Sequence, residues 1–357
     1  MSSQTLDYAK AEAFAGHMLD VLNHAALAQM ASIGHQIGLF DIMADLPPST
    51  DKRIAEVAGL NQRYVREWLG AMVTGLVIDY DPENATYSLP PEHAATLTRS
   101  AGPDNLARPA QFIPLLAQVE ESILERFRNG GGLPYSAYPR FHQLMAEDSA
   151  AIHDVALVDS MLPIVPGLVE RLQAGIQVAD VGCGCGHAIN LMAQAFPKSQ
   201  FVGYDISEEG LREGRREAQE LGLTNAQFEL RDASSLEVQN RFDFISAFDA
   251  IHDQAQPARV LTGIAQALRP QGVFLMVDFG ASSKVHENLD FPAGPFMYTI
   301  SCMHCVPVSM GLNGPGLGAM WGEQTARQML TEAGFTQVEV KQVEGDIFNN
   351  YFIASRG

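Results

Sequence analysis

Basic residues are scarce in this chain: 23 Lys and Arg stand against 42 Asp and Glu in 357 residues, a formal net charge of −19. Without a cationic field nothing replaces the counterions of a phosphate backbone, which excludes nucleic acid and anionic membrane surfaces as primary partners. Cysteine is scarce too. Four cysteines in this length do not make a disulfide framework. Cys302-x-x-Cys305 lacks the second ligand pair of a structural zinc site, so no metal is expected. No apolar run approaches membrane-spanning length, and MSSQTLDYAKAEAF has neither a basic nor an apolar leader segment, so a cytoplasmic location is expected. What is present is 46% hydrophobic and 18% charged residues, a globular composition long enough for two separate cores.

The first ninety residues read as helices followed by a hairpin. Phe14, Met18, Val21, Leu22 and Ala25 share one face of a helix over residues 11–31, a stripe that needs a partner surface. A second helix is expected from Ile33 to Met43, closed by Pro47-Pro48. A third runs over residues 50–60 to a glycine stop, and Asn61 caps a fourth with Tyr64, Val65, Trp68, Leu69 and Met72 inward. Leu76–Tyr80 and Thr86–Leu89 flank a turn at Asp81-Pro82-Glu83-Asn84 and form a β-hairpin. This order is a winged helix. Over residues 1–90 it carries five basic residues against eleven acids, and its recognition helix offers only Arg63 and Arg66 beside Glu67. That is too little charge to hold DNA, so a packing role is expected.

Residues 91–172 read as a helical linker. Phe112, Leu115, Leu116, Val119, Ile123 and Phe127 form one stripe, and a broken helix spans Ile152 to Leu172. Between them, Gly130-Gly131-Gly132-Leu133-Pro134-Tyr135 leads into spaced aromatics; a lid over a small ligand and an ordinary loop with buried aromatics both fit it.

From residue 173 onward strands and helices alternate. Strands are expected at 176–181, 201–205, 227–230, 242–246 and 273–277, with helices at 207–221, 257–268 and 323–333. A terminal hairpin turns at Glu344-Gly345-Asp346. This alternation means a parallel, doubly wound sheet, whose ligands sit beyond the carboxyl ends of the strands. The first strand runs directly into Gly182-Cys183-Gly184-Cys185-Gly186 and a helix, with Asp180 two residues ahead. Glycines there let the backbone approach a ligand where no side chain fits. Asp205 closes the second strand, 23 residues after Gly182, where a carboxylate can accept two ribose hydroxyls. Asp232 follows the third, at the same edge of the sheet.

The alternate-glycine motif, these acids and the terminal hairpin resemble the class I S-adenosylmethionine (SAM) methyltransferases. The resemblance implies an α/β Rossmann-like domain with a seven-stranded sheet and SAM as cofactor. It implies cofactor contacts from Asp180, Gly182, Gly184, Gly186, Asp205, Ile206, Asp232, Ala233, Phe248 and Asp249. The run Phe248-Asp249-Ala250-Ile251-His252-Asp253-Gln254 is similar to the dimeric small-molecule methyltransferases, where a histidine takes the acceptor proton. On that likeness His252 is the base, Glu323 in Trp321-Gly322-Glu323-Gln324 orients it, and Asp278 is a second acid. Gln254 stands where that family has tryptophan, which implies a different acceptor pocket. Over essentially the whole chain the sequence resembles winged-helix methyltransferases of mycobacterial type, including Gly-Gly-Gly-Leu-Pro-Tyr and Trp-Gly-Glu-Gln; related nematode proteins look like thiol methyltransferases.

The expectation is therefore a homodimer of three parts: a winged helix at 1–90, a helical linker at 91–172 and a SAM domain at 173–357. It methylates a small molecule at oxygen or sulfur, in a pocket of Tyr135, Tyr138, Phe141, His142, Met297, Cys302 and Trp321. The cysteines are read as buried and inert, with a thiolate-bound arsenite-type acceptor as the alternative. The rival function is a winged-helix regulator whose methyltransferase domain only senses SAM.

Overall fold

Thr50 and Asn61 begin helices as their side chains dictate, accepting hydrogen bonds from the backbone N–H of Arg53 (3.3 Å) and Arg63 (2.9 Å). They sit in the first of two compact units, Met1–Pro114 and Leu115–Gly357, in a computed structural model that describes residues 6–356. The first unit holds helices α1 (Tyr8–Gln36), α2 (Leu39–Asp45), α3 (Asp51–Ala58) and α4 (Gln62–Thr74), then the hairpin β1 (Asp79–Asp81) and β2 (Thr86–Ser88). Two expectations fail in detail. Ile33–Met43 is not one helix, because Gly38 takes a left-handed φ of 73° and separates α1 from α2. The hairpin begins only at Asp79, because Leu76 leaves α4 with a φ of 58° and points to solvent.

The core of this unit forms around Trp68. Its ring lies where a Cβ on Gly34 would stand, 2.5 Å away, and its indole N–H donates to the Met30 carbonyl (2.9 Å). Glycine inside α1 costs helix stability, and the packing of Trp68 and Phe40 against that gap offsets it. The first two-thirds of α1 lies outside this core: Phe14, Leu19 and Leu22 are each about 60% exposed (63%, 59% and 64%).

The second unit is built on seven strands: β3 (Gln177–Val181), β4 (Gln200–Asp205), β5 (Ala226–Leu230), β6 (Phe242–Phe248), β7 (Leu268–Phe279), β8 (Gln337–Lys341) and β9 (Asn349–Ser355). Their order is β5-β4-β3-β6-β7-β9-β8, with β9 antiparallel to both neighbours and the other pairs parallel. Alternate residues face opposite sides. Val178, Phe201, Phe244 and Leu275 pack under the helices at 187–195 and 208–220, while Ala179, Val202, Ile245 and Phe274 pack under those at 257–267 and 322–332. Burial on both faces explains why these strands are continuous apolar runs. The order reverses between β3 and β6, and the crevice at that switch point is where the loops after β3, β4 and β6 meet.

The helix expected from Ile152 begins at Phe141 and passes through a π turn at Leu157–Met161; its Leu157 and Met161 pack into the sheet core beside Leu168 and Leu172 of the next helix, Leu168–Ala174, which starts after left-handed Gly167. Among the described residues no single helix is long and apolar enough to cross a membrane.

Candidate active site

The glycine loop is shaped by three left-handed glycines, two of which also stand at close approaches. Gly182, Gly184 and Gly186 all have φ between 54° and 74°. A Cβ on Gly182 would stand 2.5 Å from that of Ala250, and one on Gly186 2.2 Å from the Phe228 ring, whereas one on Gly184 would meet open space. The Gly184 N–H donates to Asp205 Oδ2 and the Ser207 N–H to Asp205 Oδ1, both at 2.8 Å. Two backbone donors thus fix the Asp205 carboxylate at the end of β4 and leave each oxygen a further lone pair. Ile206 beside it is 55% exposed.

Asp180 is buried in β3 opposite Ser246 of β6, whose hydroxyl donates to it at 2.8 Å. Burial pushes its pKa up to about 7; the Ser246 bond opposes this and the Asp205 charge adds to it. Asp232 is exposed and accepts from the Ser234 N–H (2.8 Å), capping the turn that buries Ala233. At the end of β6, Phe248 meets the edge of the His153 ring at 4.8 Å. Asp249 follows with a left-handed φ of 49°, and its buried Oδ1 has no hydrogen-bond partner. Burial first, and then the Asp278 charge, raise its pKa to about 8. On the far side of the loop His187 is held between Glu217 (Nδ1 to Oε1, 2.6 Å) and Asp154 (Nε2 to Oδ1, 2.8 Å).

His252 is 2% exposed, and its Nδ1 lies 2.9 and 3.1 Å from the two carboxylate oxygens of Asp278, itself fully buried in β7. A carboxylate oxygen accepts, so Nδ1 donates to Asp278 and Nε2 is left to face Asp253 (3.3 Å) and the Cys305 thiol. Burial opposes a charge on this ring, but Asp278 and Asp253 outweigh it and hold the pKa well above the ordinary histidine value. The carboxylate on His252 is Asp278 and not Glu323. Glu323 starts the helix at Gly322–Glu332 and accepts from Arg327 Nε (2.6 Å) and Asn350 Nδ2 (3.3 Å). Its partner Asn350 lies opposite Asp278 in the β7–β9 register.

The expected acceptor wall is partly assembled. Phe141 stacks on His304 with centroids 3.5 Å apart, Tyr138 meets that ring edge-on at 4.7 Å, and Tyr135 does so at 5.8 Å while stacking on His142. The glycine-rich segment packs closely: Leu133 N–H donates to Pro307 O (2.8 Å) and Tyr138 Oη to Met303 O (2.5 Å). Met297 is buried on the adjacent helix. Two expected wall residues stand elsewhere. Cys302 is exposed, because the π turn Ser301–Cys305 points it outward, and Trp321 belongs to the sheet core with Ala326, Leu330 and Phe335. The sequence reading did not name His304 or Asp253 as site residues, and it left Cys305 open as a thiolate ligand through the Cys-x-x-Cys spacing.

Residues 25–99 match the Rv2258c-like winged HTH domain family, and residues 172–334 match a methyltransferase domain family. The chain joins a winged helix to a class I methyltransferase domain. Among curated relatives, the ubiquinone biosynthesis O-methyltransferase of Leptothrix cholodnii is 31% identical over 104 residues, 28% of this chain and 43% of that protein. The fatty-acid O-methyltransferase of Mycolicibacterium smegmatis is 31% identical over 105 residues, 29% of this chain and 37% of that one. The chain thus spans less than half the length of either relative. Solved structures match end to end: the mitomycin 7-O-methyltransferase MmcR has a TM-score of 0.73 at 17% identity, covering 98% of this chain and 100% of its own. Human N-acetylserotonin methyltransferase, solved with SAM, has a TM-score of 0.67 at 15% identity with 100% of both chains covered. What these structures share with the chain is the fold.

Proposed function

We propose that this protein is a SAM-dependent methyltransferase acting on a small molecule through oxygen or sulfur, with His252 withdrawing the acceptor proton. The observation that carries the reading is the buried His252–Asp278 pair, set at the sheet's switch point beside the glycine loop. The residues fit SAM. Asp205 is held rigid with lone pairs free for a diol, Gly184 opens onto space, and Asp249 keeps a buried oxygen that lacks a donor. When bound, SAM supplies a methyl on a sulfonium already primed for displacement. The protein's work is then to align the acceptor and take its proton. Asp278 makes the imidazole a stronger base than a free one, which narrows the gap to a thiol or phenol of pKa about 8.5–10.

The regulator reading finds little support in the first unit. The two cations of the recognition helix α4 are paired inside it, Arg63 with Glu67 and Arg66 with Asp51 at 2.7 Å. The deciding experiment measures SAM turnover on a panel of thiols and phenols, beside a gel shift with genomic DNA fragments. Methylated product without a shift supports the enzyme; a specific shift with SAM binding and no turnover rejects it.

A further inference from the structure

Next to His252 lies a group of side chains that methyl transfer does not use. Asp253 Oδ1 is 3.3 Å from His252 Nε2 but misaligned for a hydrogen bond, and it is buried without a partner. The Cys305 thiol lies within hydrogen-bonding reach of both the His252 ring and the Asp253 carboxylate. One donor atom from each of His252, Asp253 and Cys305 lies within 4.8 Å of the other two. At the edge of the group is His304, fully buried, with Nδ1 4.0 Å from Asp253 Oδ2 and neither ring nitrogen hydrogen-bonded. Three orphaned buried polar atoms in one place are costly unless something satisfies them together.

We propose that His252 Nε2, the Asp253 carboxylate and Cys305 Sγ form a binding site for a divalent cation of the zinc class, with His304 as a fourth donor at its margin. A mixed nitrogen, oxygen and sulfur set is what zinc takes, whereas magnesium and calcium require oxygen ligands. Tetrahedral bonds of about 2.0–2.3 Å put donor atoms roughly 3.3–3.7 Å apart, so the 3.3 Å edge already fits and the other two, neither above 4.8 Å, need close by no more than about 1.5 Å. The surroundings are those of a ligating histidine: Nδ1 donates to the buried Asp278, which fixes the tautomer and aims the Nε2 lone pair at the site. A single buried thiol cannot hold arsenite as a multidentate thiolate, and Cys302 points away. Because the cation would occupy the lone pair that accepts the proton, the metal-bound protein and the methylating protein are different species. The site itself is inferred from donor chemistry and does not depend on the methyl-transfer reading.

The test is direct binding. Full-length protein stripped with chelator is titrated with Zn²⁺ against a chromophoric chelator, with Mg²⁺ and Ca²⁺ as comparators, and Co²⁺ is added to read thiolate-to-metal absorption. One equivalent of zinc should bind at micromolar affinity or tighter, unaffected by millimolar Mg²⁺. Cys305→Ser should abolish the cobalt charge-transfer band, and Asp253→Asn should weaken zinc by ~10-fold or more. Cys302→Ser should leave both unchanged. Circular dichroism and SAM binding establish that each variant is folded. The proposal is overturned if wild type takes up no zinc, if folded Cys305→Ser and Asp253→Asn bind as tightly as wild type, or if Cys302→Ser removes the site.

Discussion

Replacing Asp278 by Asn tests the core of the site, because it keeps the shape and removes one charge. Both carboxylate oxygens lie within 3.1 Å of His252 Nδ1, and neither residue is more than 2% exposed, so solvent screens the pair little. Unit charges about 4 Å apart at an effective dielectric of 20 interact by about 4 kcal/mol. That is the stabilisation available to an imidazolium as it forms, and its loss corresponds to a rate deficit of roughly 10³-fold. The amide oxygen can still accept from Nδ1–H, so a loss of ~10²–10³-fold in kcat is expected. Glu323→Gln serves as the comparison. Its carboxylate is engaged by Arg327 and Asn350 and does not touch the ring, so its loss should stay below roughly 10-fold. The assay follows demethylated cofactor formed from a phenol acceptor at saturating SAM. Calorimetric SAM affinity and melting temperature control for folding, since breaking a buried pair can cost about 3–5 kcal/mol. Equal losses in the two variants, or a folded Asp278→Asn within threefold of wild type, would refute the assignment.

Asp205→Ala removes the acceptor for the Gly184 and Ser207 N–H groups, and calorimetry should find SAM affinity reduced by ~10-fold or more with the fold intact. His187 has its pKa raised by the bond to Glu217, against burial and with Asp154 adding, so its stabilising contribution is complete below the unfolded value near 6.5 and is lost as pH rises through the folded one. His187→Gln should therefore lower stability by about 1 kcal/mol at pH 6 and by less at pH 9 in thermal melts. The exposed apolar face of α1, with Phe14, Met18 and Leu22, predicts a homodimer that Leu22→Glu dissociates; wild type sedimenting as a monomer at micromolar concentration would count against it.

Much of the second unit was legible because a strand buried on both faces must be apolar throughout, and each such run ends at a glycine or an acid. The glycine loop and Asp205 were found for that reason. What the sequence concealed were contacts made across the fold. His252 and His304 are 52 positions apart, and Phe141 stacks on His304 from 163 positions away, so no local pattern joins them. The π turns at Leu157–Met161 and Ser301–Cys305 rotate the helix face by an extra residue, which is why Cys302 points out and Cys305 in. Both Glu323 and Asp278 are acids, but Asp278 lies at the end of β7 against the ring whereas Glu323 starts a helix and is taken by Arg327 and Asn350, a choice no local pattern shows. Helix caps were read well in α3 and α4, whereas the Gly38 break was missed because the apolar pattern runs through it.

The charge of the site also bears on the acceptor. Asp180, Asp249, Asp253 and Asp278 are all less than about a third exposed and converge at the carboxyl ends of β3, β6 and β7; no Lys or Arg of the described residues forms an ion pair with any of them. The raised pKa values of Asp180, about 7, and Asp249, about 8, place them in a setting that resists further negative charge. A sulfonium cofactor suits such a site, and an anionic acceptor does not. On the proposed reading, an acceptor therefore does best by arriving neutral and losing its proton at His252. One added negative charge about 7 Å from one unscreened carboxylate, at an effective dielectric of 20, costs about 2 kcal/mol, or roughly 30-fold in kcat/KM. The measurement is a matched pair of aromatic thiols, one with a para-carboxamide and one with a para-carboxylate, compared at equal thiolate fraction. The carboxamide should be favoured by at least about 10-fold, and the preference should persist at high salt because the carboxylates are shielded from solvent. Equal kcat/KM for the two thiols, or methylation at the carboxylate itself, would mean that the acceptor lies away from these acids.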